Sequence, residues 1–177
     1  MQPSPFHLDI VAYSGTNTLS RLIKLRTLSR YSHVGMAFWA NGEHWIVESM
    51  EGKGCRIVPL RLWHTWGGKV SGFSFNEELF SEADREAMLQ FCLRQVGQEY
   101  ASPKQLIRAF MFGARWLADK LHWPMDEEGW TCSELMVAAM QSVGKFNELV
   151  AAESSPGDIP ESQYVRRALS RPFGAQG

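Results

Sequence analysis

Three side chains far apart in the sequence, Cys132, His33 and Glu48, are of the types needed for nucleophilic acyl chemistry. The run Trp130-Thr-Cys-Ser-Glu134 reads as a helix start. Thr131 stands at the N-cap with Glu134 three residues on, a reciprocal capping box, so Cys132 takes the first helical position. A thiol there faces the positive end of the helix dipole and backbone N–H groups without helical partners, which favour the thiolate. The same N–H groups, its own included, can receive the negative oxygen of a tetrahedral intermediate. Taken alone, a free cysteine is as readily a buried small hydrophobe. A general base decides between the two.

The base is expected on a hairpin. Ser32 to Trp39 and His44 to Met50 are strand-like runs separated by Ala40-Asn-Gly-Glu43, and Asn-Gly tolerates the positive φ that a two-residue turn demands at both central positions. That turn sets Glu48 opposite Gly35 and places His33, Gly35, Ala37 and Trp39 on one face with His44, Ile46, Glu48 and Met50. His33 and Glu48 then lie on a same-face diagonal, roughly 7–8 Å apart between backbones, which a glutamate side chain spans. With glycine opposite Glu48, nothing bulky separates carboxylate from imidazole. A carboxylate on one ring nitrogen fixes the tautomer and supports the imidazolium, the third role in a nucleophile–base–orienter triad.

The remaining elements follow from apolar spacing and turn residues. Leu8 to Tyr13, Cys55 to Leu60 and Lys69 to Phe75 read as further strands, and Thr18 to Arg30 as a short basic amphipathic helix. Ser81 opens a helix reaching about Val96 and stopped at Gly97. A longer one is expected from Pro103 to about His122, and the Cys132 helix runs through Met140 to a stop at Gly144. Strands followed by segregated helices predict an α+β domain, a small antiparallel sheet packed against helices. A length of 177 residues, 45% hydrophobic with a net charge of −1, fits one globular domain over 1–177 and lacks the basic excess of most nucleic-acid binders. Three widely spaced cysteines without a CxxC pair argue against a disulfide framework and a zinc finger. The start Met1-Gln-Pro-Ser-Pro-Phe6 lacks the pattern of a secretory signal, no apolar run is long enough to span a membrane, and a cytoplasmic location is expected.

Ser32-His-Val-Gly-Met36, Val47-Glu-Ser49, Gly52-Lys-Gly-Cys-Arg-Ile-Val-Pro-Leu60 and Thr131-Cys-Ser-Glu-Leu135 together resemble the circularly permuted branch of the NlpC-type papain-like cysteine hydrolases, the YiiX/YebB-like family. The similarity spans about Asp9 to Ala168. Ordinary members of that superfamily run cysteine, histidine, polar residue; the permuted branch puts the histidine strand first and the cysteine helix last, the order found here. The resemblance implies a circularly permuted papain-like fold with Cys132 as nucleophile, His33 as base and Glu48 as orienter. It also implies an amidase or peptidase with peptidoglycan-type peptides or isopeptide linkages as its substrate class, and no cofactor. Gly97-Gln-Glu-Tyr100 matches a family segment usually continued by Asp where this chain has Ala101, leaving Tyr100 a pocket position. Two other readings share the fold. One is a lipid-directed acyltransferase or thioesterase, whose Asn-Cys-Glu-His motif differs from Thr131-Cys-Ser-Glu134; the other is a non-catalytic binding or virion module.

Other clusters point less far. His44 shares the face of His33 and Glu48, yet no HxxxH, HExxH or CxxC spacing supports a metal site, and no phosphate-binding glycine motif occurs. Cys55 reads as a strand residue and Cys92 as an interior helix position. Arg21, Lys24, Arg26 and Arg30 form a solvated helix face or a contact for an anionic polymer or lipid head group. On the helix from Pro103, Phe112 and Trp116 project opposite the apolar stripe, predicting a homo-oligomer or partner surface unless a loop such as Trp63 to Trp66 covers them.

Overall fold

The computed structural model describes residues 9–100 and 129–168. Strand β1 (Ile10–Ser14) is followed by helix α1 (Thr18–Thr27), the hairpin β2 (His33–Ala40) and β3 (Glu43–Met50), then β4 (Gly54–Pro59), a short helix α2 (Leu60–His64) and β5 (Lys69–Phe75). Helices α3 (Glu82–Arg94) and α4 (Cys132–Gln141), a 3-10 turn (Ala151–Glu153) and β6 (Val165–Arg167) complete the described chain. The strands form one antiparallel sheet in the order β4-β3-β2-β1-β5-β6. This is the α+β arrangement anticipated, with β6 added at the far edge.

The hairpin takes the expected register. Asn41 and Gly42 have φ of 53° and 82°, so both turn residues are left-handed, and Met36 pairs with Val47 as Ala40 does with Glu43. Alternation along the strands divides the apolar side chains between two cores. Val34, Met36 and Val47 pack under α3 and α4 with Met88, Leu135 and Met136; Ala37, Ile46 and Val11 face the other way, toward α2, with Trp63 fully buried among them.

Several expectations change. Helix α1 stops at Thr27 rather than Arg30, because Leu28 turns left-handed (φ 52°) and its N–H bonds the Lys24 carbonyl. Helix α3 ends at Arg94 rather than near Val96, and β4 ends at Pro59, after which Leu60 opens α2 instead of continuing the strand. Trp63 belongs to α2 rather than to a loop, and it and Trp66 pack on Tyr13 at ring separations of 6.2 and 5.3 Å. The helix expected from Pro103 to His122, and with it Phe112 and Trp116, lies outside the described residues.

Candidate active site

Cys132 opens α4 as the capping box requires. Thr131 Oγ1 accepts the Glu134 N–H at 3.2 Å, and the Glu134 carboxylate accepts the Thr131 N–H at 2.8 Å. Two further bonds fix this helix start against the sheet and the C-terminal segment. Ser49 Oγ donates to the Trp130 carbonyl at 2.5 Å, and Ser133 Oγ donates to the Ser154 carbonyl at 2.9 Å. The thiol is 5% exposed and lines a cavity of about 750 Å³ together with His33, Tyr100 and Trp66.

His33, the first residue of β2, meets Glu48 of β3 in the predicted diagonal: Nε2 lies 2.6 Å from the carboxylate Oε2. Gly35 makes this approach possible, since a Cβ there would stand 2.6 Å from Ile46 Cγ2 and 3.4 Å from Glu48 Cβ. With Nε2 held by Glu48, Nδ1 is the ring nitrogen left for Cys132, which lines the same cavity. Burial alone would lower the pKa of His33. The negative charge and hydrogen bond of Cys132, with those of Glu48, more than reverse this and push it up to about 10. The ring is therefore an imidazolium at neutral pH, donating from Nε2 to Glu48.

Glu48 is fully buried, and burial opposes its ionisation; the hydrogen bonds and charges of His33 and Arg56 outweigh that and hold its carboxyl below the usual range. Arg56, its cross-strand partner on β4, contributes two bonds to Oε1, from Nε at 2.9 Å and Nη2 at 2.6 Å. The carboxylate is thus shared, one oxygen to the imidazole and one to a guanidinium fork. Arg56 is the residue that reading the sequence missed. It stood in the quoted Gly52-Lys-Gly-Cys-Arg56 segment, and a β3–β4 register would have put it opposite Glu48.

Tyr100 is brought to the same cavity by the strand edge of β4. The Cys55 N–H donates to the Gln98 carbonyl and the Gly97 N–H to the Cys55 carbonyl, each at 2.8 Å, and Tyr100 itself bridges Trp130. Burial, and then the negative charges of Cys132, Glu51 and Glu134, push its phenol up, so it stays a neutral hydroxyl. His44 is elsewhere: it packs edge-on against Trp39 at 4.7 Å, beside the hairpin turn and at the opposite end of the strands from His33. Cys55 and Cys92 are buried in the core under α3 and α4, where burial pushes both thiols up.

Residues 9–105 match the family described as permuted papain-like amidase enzymes of the YaeF/YiiX, C92 type, and the chain belongs to that family. The chain order of this structure, histidine strand β2 before cysteine helix α4, is the permuted one. Among solved structures, the metalloprotein YiiX from Escherichia coli O157:H7 is similar in fold, with a TM-score of 0.63 at 18% identity, over 92% of this chain and 96% of that one. No curated protein matches the chain. Among the described residues, no three His, Cys, Asp or Glu side chains converge to hold a metal ion, and no helix is long and apolar enough to cross a membrane.

Proposed function

We propose that the protein is a cysteine amidase acting through a Cys132–His33–Glu48 triad, with peptidoglycan-type peptides or isopeptide-linked peptides as its substrate class. The observation that carries this reading is the bond between His33 Nε2 and a buried, Arg56-clamped Glu48, with His33 and Cys132 lining one cavity. An imidazolium against the sulfur favours the thiolate, which attacks the amide carbonyl carbon. The carbonyl oxygen takes up the electron pair and is received by the Cys132 N–H at the start of α4 and by the neutral Tyr100 hydroxyl. As the C–N bond breaks, His33 gives its proton to the departing amine and a thioester remains. His33, now neutral, takes a proton from water, whose oxygen attacks the thioester; the carboxylic acid leaves and the thiolate–imidazolium pair is restored.

The test is stoichiometric iodoacetamide on the folded protein at neutral pH, with the adduct located by mass spectrometry. Cys132 is expected to label first, because it lines the cavity, whereas Cys55 and Cys92 are not part of its lining and burial pushes their thiols up. Labelling of either of those ahead of Cys132 overturns the assignment. Against a panel of γ-glutamyl and isopeptide substrates, Cys132→Ala is expected to abolish amine release and His33→Ala to do nearly the same, since members of one catalytic unit fail together.

A further inference from the structure

Two neighbours on β3 point opposite ways. Glu48 and Ser49 are both 0% exposed, and because successive strand residues face opposite sides of a sheet, Glu48 reaches His33 on the α2 side while Ser49, opposite Cys55 in the register, enters the core under α3 and α4. A hydroxyl in such a core costs free energy unless it is bonded. This one donates to the carbonyl of Trp130, two residues before Cys132.

That carbonyl belongs to the peptide joining Trp130 to Thr131, whose N–H is accepted by the Glu134 carboxylate at 2.8 Å. The peptide leading into α4 is thus held at both ends, its N–H by the helix and its C=O by the sheet. Its plane cannot rotate without breaking one of these bonds, and the direction in which the Cys132 side chain leaves the first turn follows from that plane. Trp130 passes the constraint on: its N–H donates to the Glu99 carbonyl at 3.2 Å and it bridges to Tyr100, so the phenol that lines the cavity beside Cys132 stands on the same support. Ser133, bonded to the Ser154 carbonyl at 2.9 Å, holds the helix start to the C-terminal segment. Ser49 ties it to the strand that carries Glu48.

We infer that Ser49 is a positioning residue: consecutive residues of β3 hold the two arms of the candidate site, Glu48 by orienting the His33 imidazole and Ser49 by fixing, through the Trp130 carbonyl, where the Cys132 sulfur stands relative to that ring. The inference rests on the triad proposed above and names the side chain that sets its geometry.

Ser49→Ala removes the donor and little else, and Leu89→Ala, on α3 in the same core, is the control for lost stability alone. At a temperature well below melting, with wild-type circular dichroism, Ser49→Ala is expected to lower kcat on γ-glutamyl or isopeptide substrates roughly ten- to a hundredfold with KM nearly unchanged, and to slow iodoacetamide alkylation of Cys132 several-fold. Leu89→Ala should match the wild type in both. Ser49→Thr keeps the hydroxyl and should recover most of both. If Ser49→Ala alkylates and turns over as Leu89→Ala does, Ser49 is structural and the inference is overturned. A threonine variant as slow as the alanine overturns it too. Alkylation needs no substrate, so the two readings fail separately: a wild type that releases amine from no member of the panel removes the amidase reading, while slowed labelling of Cys132 in Ser49→Ala and its recovery in Ser49→Thr still uphold the positioning role.

Discussion

Arg56 sets how much of the Glu48 charge reaches His33. Its fork occupies Oε1 while the imidazole holds Oε2, so removing the guanidinium leaves the full carboxylate charge on the ring and frees the carboxylate to rotate. With His33 at about 10, kcat/KM is expected to fall as pH rises through that value and the ring loses its proton. Arg56→Met should move this alkaline limb to higher pH and lower kcat roughly tenfold with little change in KM; Arg56→Lys should restore most of both. An unmoved pH profile with only a lower melting temperature would make Arg56 structural. Glu48→Gln can still hold the ring but not stabilise its charge, and a kcat loss on the order of 10–10³ is expected. Because the Glu48 carboxyl is held below its usual value, its ionisation stabilises the fold above the unfolded value of 4.5, and that contribution is lost as pH falls through the native one. The melting-temperature gap between wild type and Glu48→Gln should therefore narrow on acidification below 4.5, and a gap that widens would contradict the depressed pKa. The His33–Glu48 pair was legible because an Asn-Gly turn admits one register; Arg56 was not, because Glu51-Gly-Lys-Gly54 allows several.

Single helix caps and single close contacts of the sheet position the reacting groups, so elements fail at definite places. Thr131 accepts the Glu134 N–H and its own N–H is accepted in return, and Thr131→Ala should cost about 1 kcal/mol and slow iodoacetamide labelling of Cys132 by loosening the first turn of α4. Labelling at the wild-type rate despite the lower stability would show that the cap does not position the thiol. Gly35 is the corresponding point of the hairpin. A methyl group there would lie 2.9 Å from the Val47 carbonyl as well as 2.6 Å from Ile46, and backbone cannot yield as a flexible side chain does. Gly35→Ala should cost about 1–3 kcal/mol in thermal unfolding and part β2 from β3 next to Glu48, lowering kcat more than a remote substitution of equal cost. The elements that sequence reading found are those with a strong local signature, a type I′ turn at Asn41-Gly42 and capping boxes at Ser81 and Thr131. It missed α2 and β6, five and three residues long, because neither completes enough turns or alternations to show a period.

Across the whole molecule the candidate triad straddles the sheet. Cys132 opens a helix packed on the core beneath α3 and α4, whereas His33 and Glu48 leave the strands on the opposite face, beside the core beneath α2. The α+β class was readable because strands and helices segregate along the chain, but periodicity identifies a buried face without naming what covers it, so the second core and its tryptophan went unseen. That core forms the wall of the candidate site. Trp63 is fully buried, with its ring 5.0 Å from the His33 imidazole, 6.2 Å from Tyr13 and 5.4 Å from Trp66. Its Nε1–H has no hydrogen-bond partner among the described residues, so the residue contributes bulk and a ring face at the expense of one unpaired donor. Trp63→Ala should therefore cost about 3–5 kcal/mol, a fall in melting temperature of roughly 6–20 °C, and reduce activity by opening the space behind His33 to water. Trp63→Phe keeps a ring against the imidazole and removes the unpaired N–H, and is expected to cost well under half as much while retaining most of kcat. Calorimetry and turnover on the two variants decide the matter: if phenylalanine is as damaging as alanine, the indole N–H has a bonding role and the wall behind His33 is not held by packing alone.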